Sequence, residues 1–133
     1  MTKEEVPTVM VADDSDDIRE LLRIHLTQLG YRVVEAADGR EAVEAAREER
    51  PDLILMDLSM PVLDGLEATR LIRRIEGARG VVILAFTALS SGASRAKALA
   101  AGCDGYVRKH LGLDELAALI ARHLSVGRVR PNS

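Results

Sequence analysis

Apolar positions along the chain follow two alternating patterns. Thr8-Val9-Met10-Val11-Ala12, Leu53-Ile54-Leu55-Met56 and Val81-Val82-Ile83-Leu84-Ala85-Phe86 are runs without polar alternation. That pattern suits strands covered on both faces, as in a parallel sheet. Tyr31 to Ala36, rich in Val, and the short Tyr106-Val107-Arg108 bring the expected strands to five. Between them the apolar residues recur at helical spacing. Ile18, Leu21, Leu22, His25, Leu26 and Leu29 form the first such face, preceded by Ser15, Asp16 and Asp17 as capping and acidic groups and stopped by Gly30. Asp38-Gly39 turns the chain into an Ala-rich helix over Glu41 to Glu49, with Ala42, Val43, Ala45 and Ala46 apolar and Pro51 closing it. Asp64-Gly65 opens a third helix with Leu66, Leu71, Ile72 and Ile75 on its apolar face, ended by Gly77 and Gly80. Ser90, Ser91 and Gly92 precede a fourth helix from about Ala93 to Ala100, and Gly102 to Gly105 turns the chain into the last strand. Asp114 begins the final helix, with Leu116, Leu119, Ile120 and Leu124 facing inward.

Five strand–helix units predict an α/β fold: a parallel sheet with right-handed crossovers and helices on both faces. At 133 residues the chain is expected to form one domain, over residues 6 to 124, with Ser125 to Ser133 as a flexible tail. Its only aromatic residues are Tyr31, Phe86 and Tyr106, so the core must be aliphatic. A net charge of −3 gives no general attraction to nucleic acid or to an anionic membrane. No apolar run approaches the ~18 residues of a spanning helix. Met1-Thr2-Lys3-Glu4-Glu5 lacks the apolar centre of a secretion signal. Cys103 is the single cysteine, which excludes a disulfide framework and a cysteine metal site. A cytoplasmic location is expected.

The candidate chemistry lies where the apolar runs stop. Asp13 and Asp14, Asp57, Thr87 and Lys109 stand at or just beyond four strand ends. A parallel sheet brings such ends to one edge, where ligands bind. Three carboxylates held together repel one another. A divalent cation resolves this, and an all-oxygen set with few ligands suits Mg²⁺ better than zinc. With the Lys109 ammonium and the Thr87 hydroxyl, the set is equipped to move a phosphoryl group onto a carboxylate, with Asp57 as the attacking group.

These residues lie within longer motifs: Val11-Ala12-Asp13-Asp14-Ser15, Leu55-Met56-Asp57-Leu58-Ser59-Met60-Pro61, Leu63-Asp64-Gly65, Phe86-Thr87-Ala88 and Ala101-Gly102-Cys103-Asp104-Gly105-Tyr106-Val107-Arg108-Lys109. In them the chain resembles the receiver domain of two-component response regulators, most closely stand-alone receivers similar to the chemotaxis response regulator. The resemblance spans about residues 6 to 124. It implies the flavodoxin-like receiver fold with sheet order 2-1-3-4-5. It also implies that Asp57 accepts a phosphoryl group from a sensor histidine kinase or phosphotransfer protein. Asp14, Asp57 and the Ser59 backbone carbonyl would bind Mg²⁺ directly, and Asp13 through water. Lys109, Thr87 and the Ala88 backbone would hold the phosphoryl group. Thr87 and Tyr106 would form the switch that alters the face made by the fourth helix, fifth strand and fifth helix for a downstream protein. Phosphorylation-linked homodimerisation across the last helices is a further possibility of the family. Ser59 and Leu89 occupy positions at which the family tunes the lifetime of the acyl phosphate.

One position departs from the family, which usually has Pro after the Lys with a cis bond between them. Here the residue is His110. A non-proline cis peptide costs about 3–4 kcal/mol against about 1 or less for X–Pro. The bond either persists as a strained cis peptide, a strain that active-site loops do hold, or relaxes to trans, which the energetics alone favour; a trans bond that points Lys109 away from Asp57 would weaken phosphorylation.

The other polar residues carry less. His25 and His123 fall at helical spacing with core residues, and His110 on a loop; no His pair has metal-ligand spacing. Cys103 sits in a Gly-flanked turn. Arg70, Arg73, Arg74 and Arg79 are expected on a solvated helix face, while Arg122, Arg128 and Arg130 enrich the C-terminal end. The expected function is a phosphorylation switch with only its own phosphotransfer and dephosphorylation chemistry, not an enzyme. A degenerate receiver acting as an unphosphorylated interaction module is the alternative, favoured only by His110. A haloacid-dehalogenase-like phosphatase would want a second Asp where Ser59 stands, and a cap domain for which the chain lacks length. No phosphate-binding glycine loop occurs. Direct DNA binding would require an output domain, and the chain ends too soon for one.

Overall fold

The computed structural model describes residues 6–78, 80–88 and 91–126. Arg79, Leu89, Ser90, Arg128, Arg130, the first five residues and the tail from 127 lie outside them. The elements run β1 (Thr8–Ala12), α1 (Asp16–Gln28), β2 (Arg32–Ala36), α2 (Gly39–Glu49), β3 (Leu53–Met56), α3 (Gly65–Arg73), β4 (Val82–Thr87), α4 (Gly92–Ala101), β5 (Gly105–Arg108) and α5 (Leu113–Val126). All strand pairs are parallel, in the order β2-β1-β3-β4-β5.

Alternation along the buried strands divides the core in two. Met10, Ala12, Ile54, Met56, Ile83 and Ala85 face α2, α3 and α4, meeting Ala42, Ala46, Ala68, Ile72 and Ala98. Val9, Val11, Leu53, Leu55, Val82, Leu84, Phe86 and Val107 face α1 and α5, meeting Leu22, Leu26, Leu116 and Ile120. The three-helix side is rich in Ala. Burial on both faces explains why β1, β3 and β4 carry no polar alternation.

Helix starts follow local chemistry. Ser15, Asp38, Asp64 and Ser91 each accept an amide hydrogen of the first turn of α1, α2, α3 and α4. α2 and α4 begin earlier than expected, at Gly39 and Gly92, because Asp38 and Ser91 act as the caps. β4 starts one residue later than expected and includes Thr87. α5 includes Ser125 and Val126, two residues past the domain boundary expected at 124.

Arg73 departs from the solvated face expected for it. Its guanidinium donates to the carbonyls of Gly102 and Val81 at 2.9 and 2.6 Å and pairs with Asp104 at 2.8 Å. It clamps the end of α3 to the start of β4 and the α4–β5 turn, so its charge meets carbonyls and a carboxylate instead of water. Arg70 pairs on the surface with Glu67, as a solvated face would.

The acidic pocket at the carboxyl edge of the sheet

Backbone bonds carry the strand register into the loops that bear the site. Asp13 N–H donates to Ala36 O at 3.0 Å, Asp57 N–H to Ala12 O at 2.9 Å and Lys109 N–H to Thr87 O at 3.0 Å. Each functional residue is therefore held one step beyond its strand, at one edge. Behind them Gly65 permits a close approach: a Cβ there would lie 2.1 Å from the Asp57 carbonyl oxygen. Only glycine lets the start of α3 close beneath the pocket.

The structure brings Asp13, Asp14 and Asp57 together, with one carboxylate oxygen of each within 4.8 Å of the others. Asp13 and Asp57 are 1% and 3% exposed, whereas Asp14 is open to solvent. Lys109 Nζ lies 2.8 Å from Asp13 Oδ2 and 3.1 Å from Asp57 Oδ2. The other Asp57 oxygen accepts the Ser59 amide at 3.1 Å, and Asp13 Oδ1 accepts that of Ser15 at 2.9 Å. Asp13 Oδ2 is buried and pairs with the Lys109 ammonium, which it shares with Asp57. Burial pushes the Asp57 carboxyl above its usual value, and neighbouring Asp13 adds to this; the Ser59 amide and Lys109 oppose both without cancelling them. Burial pulls the Lys109 ammonium down, yet Asp13 and Asp57 outweigh it and leave its pKa raised.

One lysine against three carboxylates leaves the pocket short of positive charge. The donor set fits Mg²⁺: every ligand is oxygen, the buried Asp13 and Asp57 share a single ammonium, and the exposed Asp14 leaves room for the waters this ion retains. Among the described residues no His or Cys joins such a cluster. Thr87 closes β4 at 1% exposure, and Ala88 follows it at the surface. Tyr106 is half-buried against the three-helix side of the core and pairs in register with Ala85, on the same sheet face as Thr87.

No peptide bond among the described residues is cis, so Lys109–His110 is trans. Lys109 nonetheless reaches Asp57. Leu111 N–H bonds to Arg108 O at 3.1 Å, closing a turn with Lys109 and the exposed His110 at its centre. His25 and His123 are half-buried on their helices and apart from the pocket cluster. Cys103 is buried near the Thr69 hydroxyl, and burial pushes its thiol pKa up.

Sequence reasoning passed over Arg19. From α1 its Nη1 donates to the Asp13 carbonyl at 2.6 Å. An Arg on an amphipathic helix gives no sign of a bond back to the preceding loop; only its place on the first turn after an acidic pair hinted at it.

Comparison with known proteins agrees with this geometry. The family model for the response regulator receiver domain matches residues 9–121. Response regulator MprA of Mycolicibacterium vanbaalenii is 42% identical over 110 residues, which cover 83% of this chain and 47% of that protein. The chain spans about half the length of the mycobacterial response regulators it matches. The receiver domain of sensor histidine kinase PA1611 from Pseudomonas aeruginosa, solved with a magnesium ion in its active-site cleft, is 38% identical with a TM-score of 0.83, covering 90% of this chain and 98% of that one. Chemotaxis protein CheY4 of Vibrio cholerae is 32% identical with a TM-score of 0.84, over 88% and 98% of the two chains. With its sheet order, its acidic edge and these relatives in agreement, the chain belongs to the response regulator receiver domain family.

Proposed function

We propose that this receiver accepts a phosphoryl group on Asp57 in an Mg²⁺-dependent step and changes its α4–β5–α5 face as a result. The observation that carries this reading is one ammonium, Lys109, shared between two buried carboxylates beside a third that is exposed. Receivers are signalling phosphoacceptors that work with histidine kinases or phosphotransfer proteins. In the step proposed here, an Asp57 oxygen attacks phosphorus as the phosphorus–nitrogen bond to the donor histidine breaks. The imidazole leaves and takes up a proton. Asp14, Asp57 and the Ser59 carbonyl would hold the cation, with Asp13 acting through water. When bound, Mg²⁺ supplies charge neutralisation to the transferring oxygens.

Lys109 is placed to follow the charge from the carboxylate to the phosphoryl oxygens. Thr87 and the Ala88 amide would bind that group, and Tyr106 would move inward as Thr87 swings towards it. About two added negative charges bias this two-state element. A protein donor fits the surroundings: Leu21 and Ile24 are exposed on α1. Beside them, Leu111, Leu113 and Leu116 line an apolar cavity of about 270 Å³ that reaches Lys109. The position of Lys109 speaks against the unphosphorylated-module alternative, since His110 does not draw it from Asp57. The kinase, the downstream target and dimerisation are separate from the chemistry proposed. No described helix is long and apolar enough to cross a membrane.

Borohydride trapping tests the acceptor. After treatment with acetyl phosphate and Mg²⁺, tritiated borohydride should label the peptide containing Asp57. Label confined to another peptide would contradict the assignment.

A further inference from the structure

We propose that Arg19 is a positioning residue for the divalent-cation site, held in place by Glu35 on the edge strand β2. This rests on the metal reading above. The three carboxylates repel one another, and Asp14 makes no hydrogen bond or ion pair among the described residues, so its place beside the pocket rests on the backbone that carries it. That backbone is tied to β2 on both sides of Asp13. The Asp13 amide donates to Ala36 O at 3.0 Å. The Asp13 carbonyl accepts from Arg19 Nη1 at 2.6 Å, and Arg19 Nε lies 3.5 Å from Glu35 Oε1. Because the peptide is planar, fixing the Asp13 carbonyl also orients the Asp14 N–Cα bond.

The Arg19 side chain is only 14% exposed, and its remaining nitrogen pairs with Asp16. Arg23 Nε takes the second Glu35 oxygen at 3.5 Å, so Glu35 is held from two sides. Asp16 and Glu35 balance the charge of Arg19. Its contribution to the pocket is therefore geometric: it holds two carboxylates at a spacing they would otherwise widen. A planar fork that reaches a carbonyl and two carboxylates at once is a task for Arg, and Lys cannot reproduce it.

The test is Mn²⁺ binding to the purified chain, followed by electron paramagnetic resonance of the free ion. Thermal midpoints in EDTA report the fold of each variant separately. Arg19→Met should weaken Mn²⁺ binding by about tenfold, the lower end of what loss of a ligand-orienting partner produces. Arg19→Lys should fall between Met and wild type, and Glu35→Gln should weaken binding about threefold, as a partly exposed pair would. A folded Arg19→Met that binds Mn²⁺ within twofold of wild type overturns the proposal. Should that variant fail to fold, Arg19→Lys carries the test by the same criterion. A wild-type chain that takes up no Mn²⁺ overturns the metal reading and this proposal with it.

Discussion

Asp57 and Lys109 are where the pocket's electrostatics become measurable. Asp57 is held above its ordinary pKa, chiefly by burial. The native state therefore keeps its proton at pH values where the unfolded chain has released it. Between the unfolded value of 3.8 and the higher folded one, native protein binds more protons than unfolded, so this group makes stability fall as pH rises. Asp57→Asn removes that slope. Its thermal midpoint in EDTA should exceed that of wild type at neutral pH and the gap should close at acidic pH; a lower midpoint at neutral pH would contradict the burial argument. Lys109 has the same sign of slope in a much more alkaline window: its raised pKa contributes stability that is fully present below the unfolded value, hence at neutral pH, and is lost only as pH climbs through the folded one. Lys109→Met leaves Asp13 and Asp57 facing each other. Because Lys109 is partly exposed, the cost should be about 2 kcal/mol, below the ~3–5 of a fully buried pair. Chemical denaturation in EDTA checks this, and added Mg²⁺ should recover part of the loss.

At the scale of elements, the β3–α3 loop holds a strained residue. Val62 has φ 69°, in the left-handed region, and is mostly exposed, while Leu63 N–H bonds back to Pro61 O at 2.7 Å. A β-branched residue is costly there, so its neighbours must impose it. Leu63 is packed into the core, and a Cβ on Gly39 would come within 1.8 Å of the Leu63 carbonyl oxygen. Val62→Gly should raise stability by about 1 kcal/mol, the left-handed penalty less the entropy glycine adds to the unfolded chain; urea midpoints decide it. Gly65→Ala forces a methyl against the Asp57 carbonyl. It should cost about 1–3 kcal/mol and slow phosphorylation with acetyl phosphate. An unchanged rate would mean that α3 can retreat without moving Asp57. None of this strain is legible in the sequence, since nothing about Val62 itself signals a positive φ. The strands were legible because burial on both faces leaves β1 after Thr8, β3 and β4 without a polar residue until the edge is reached. The same contrast made Asp13, Asp57 and Thr87 stand out. Lys109 was legible as a strand-end residue, but its contact with both buried carboxylates across a trans His110 peptide depends on the β5–α5 turn. Arg19 escaped notice because its partner is a backbone carbonyl, which no side-chain pattern reveals.

Taken together, two aliphatic layers hold a parallel sheet whose carboxyl edge concentrates more negative charge than the fold alone can balance. A cation that binds the native pocket and not the unfolded chain stabilises the fold by mass action, about 2.7 kcal/mol at a hundredfold excess over Kd. The thermal midpoint should therefore rise with Mg²⁺ in wild type and far less in Asp14→Asn, which scanning calorimetry would show. Equal shifts in both would place the ion elsewhere. The most direct measurement is intact-mass spectrometry after incubation with acetyl phosphate, with and without Mg²⁺, beside Asp57→Asn. A gain of about one phosphoryl mass that requires both Mg²⁺ and Asp57 is the expected result. No gain in wild type under any condition, or an equal gain in Asp57→Asn, would contradict Asp57 as the phosphoacceptor.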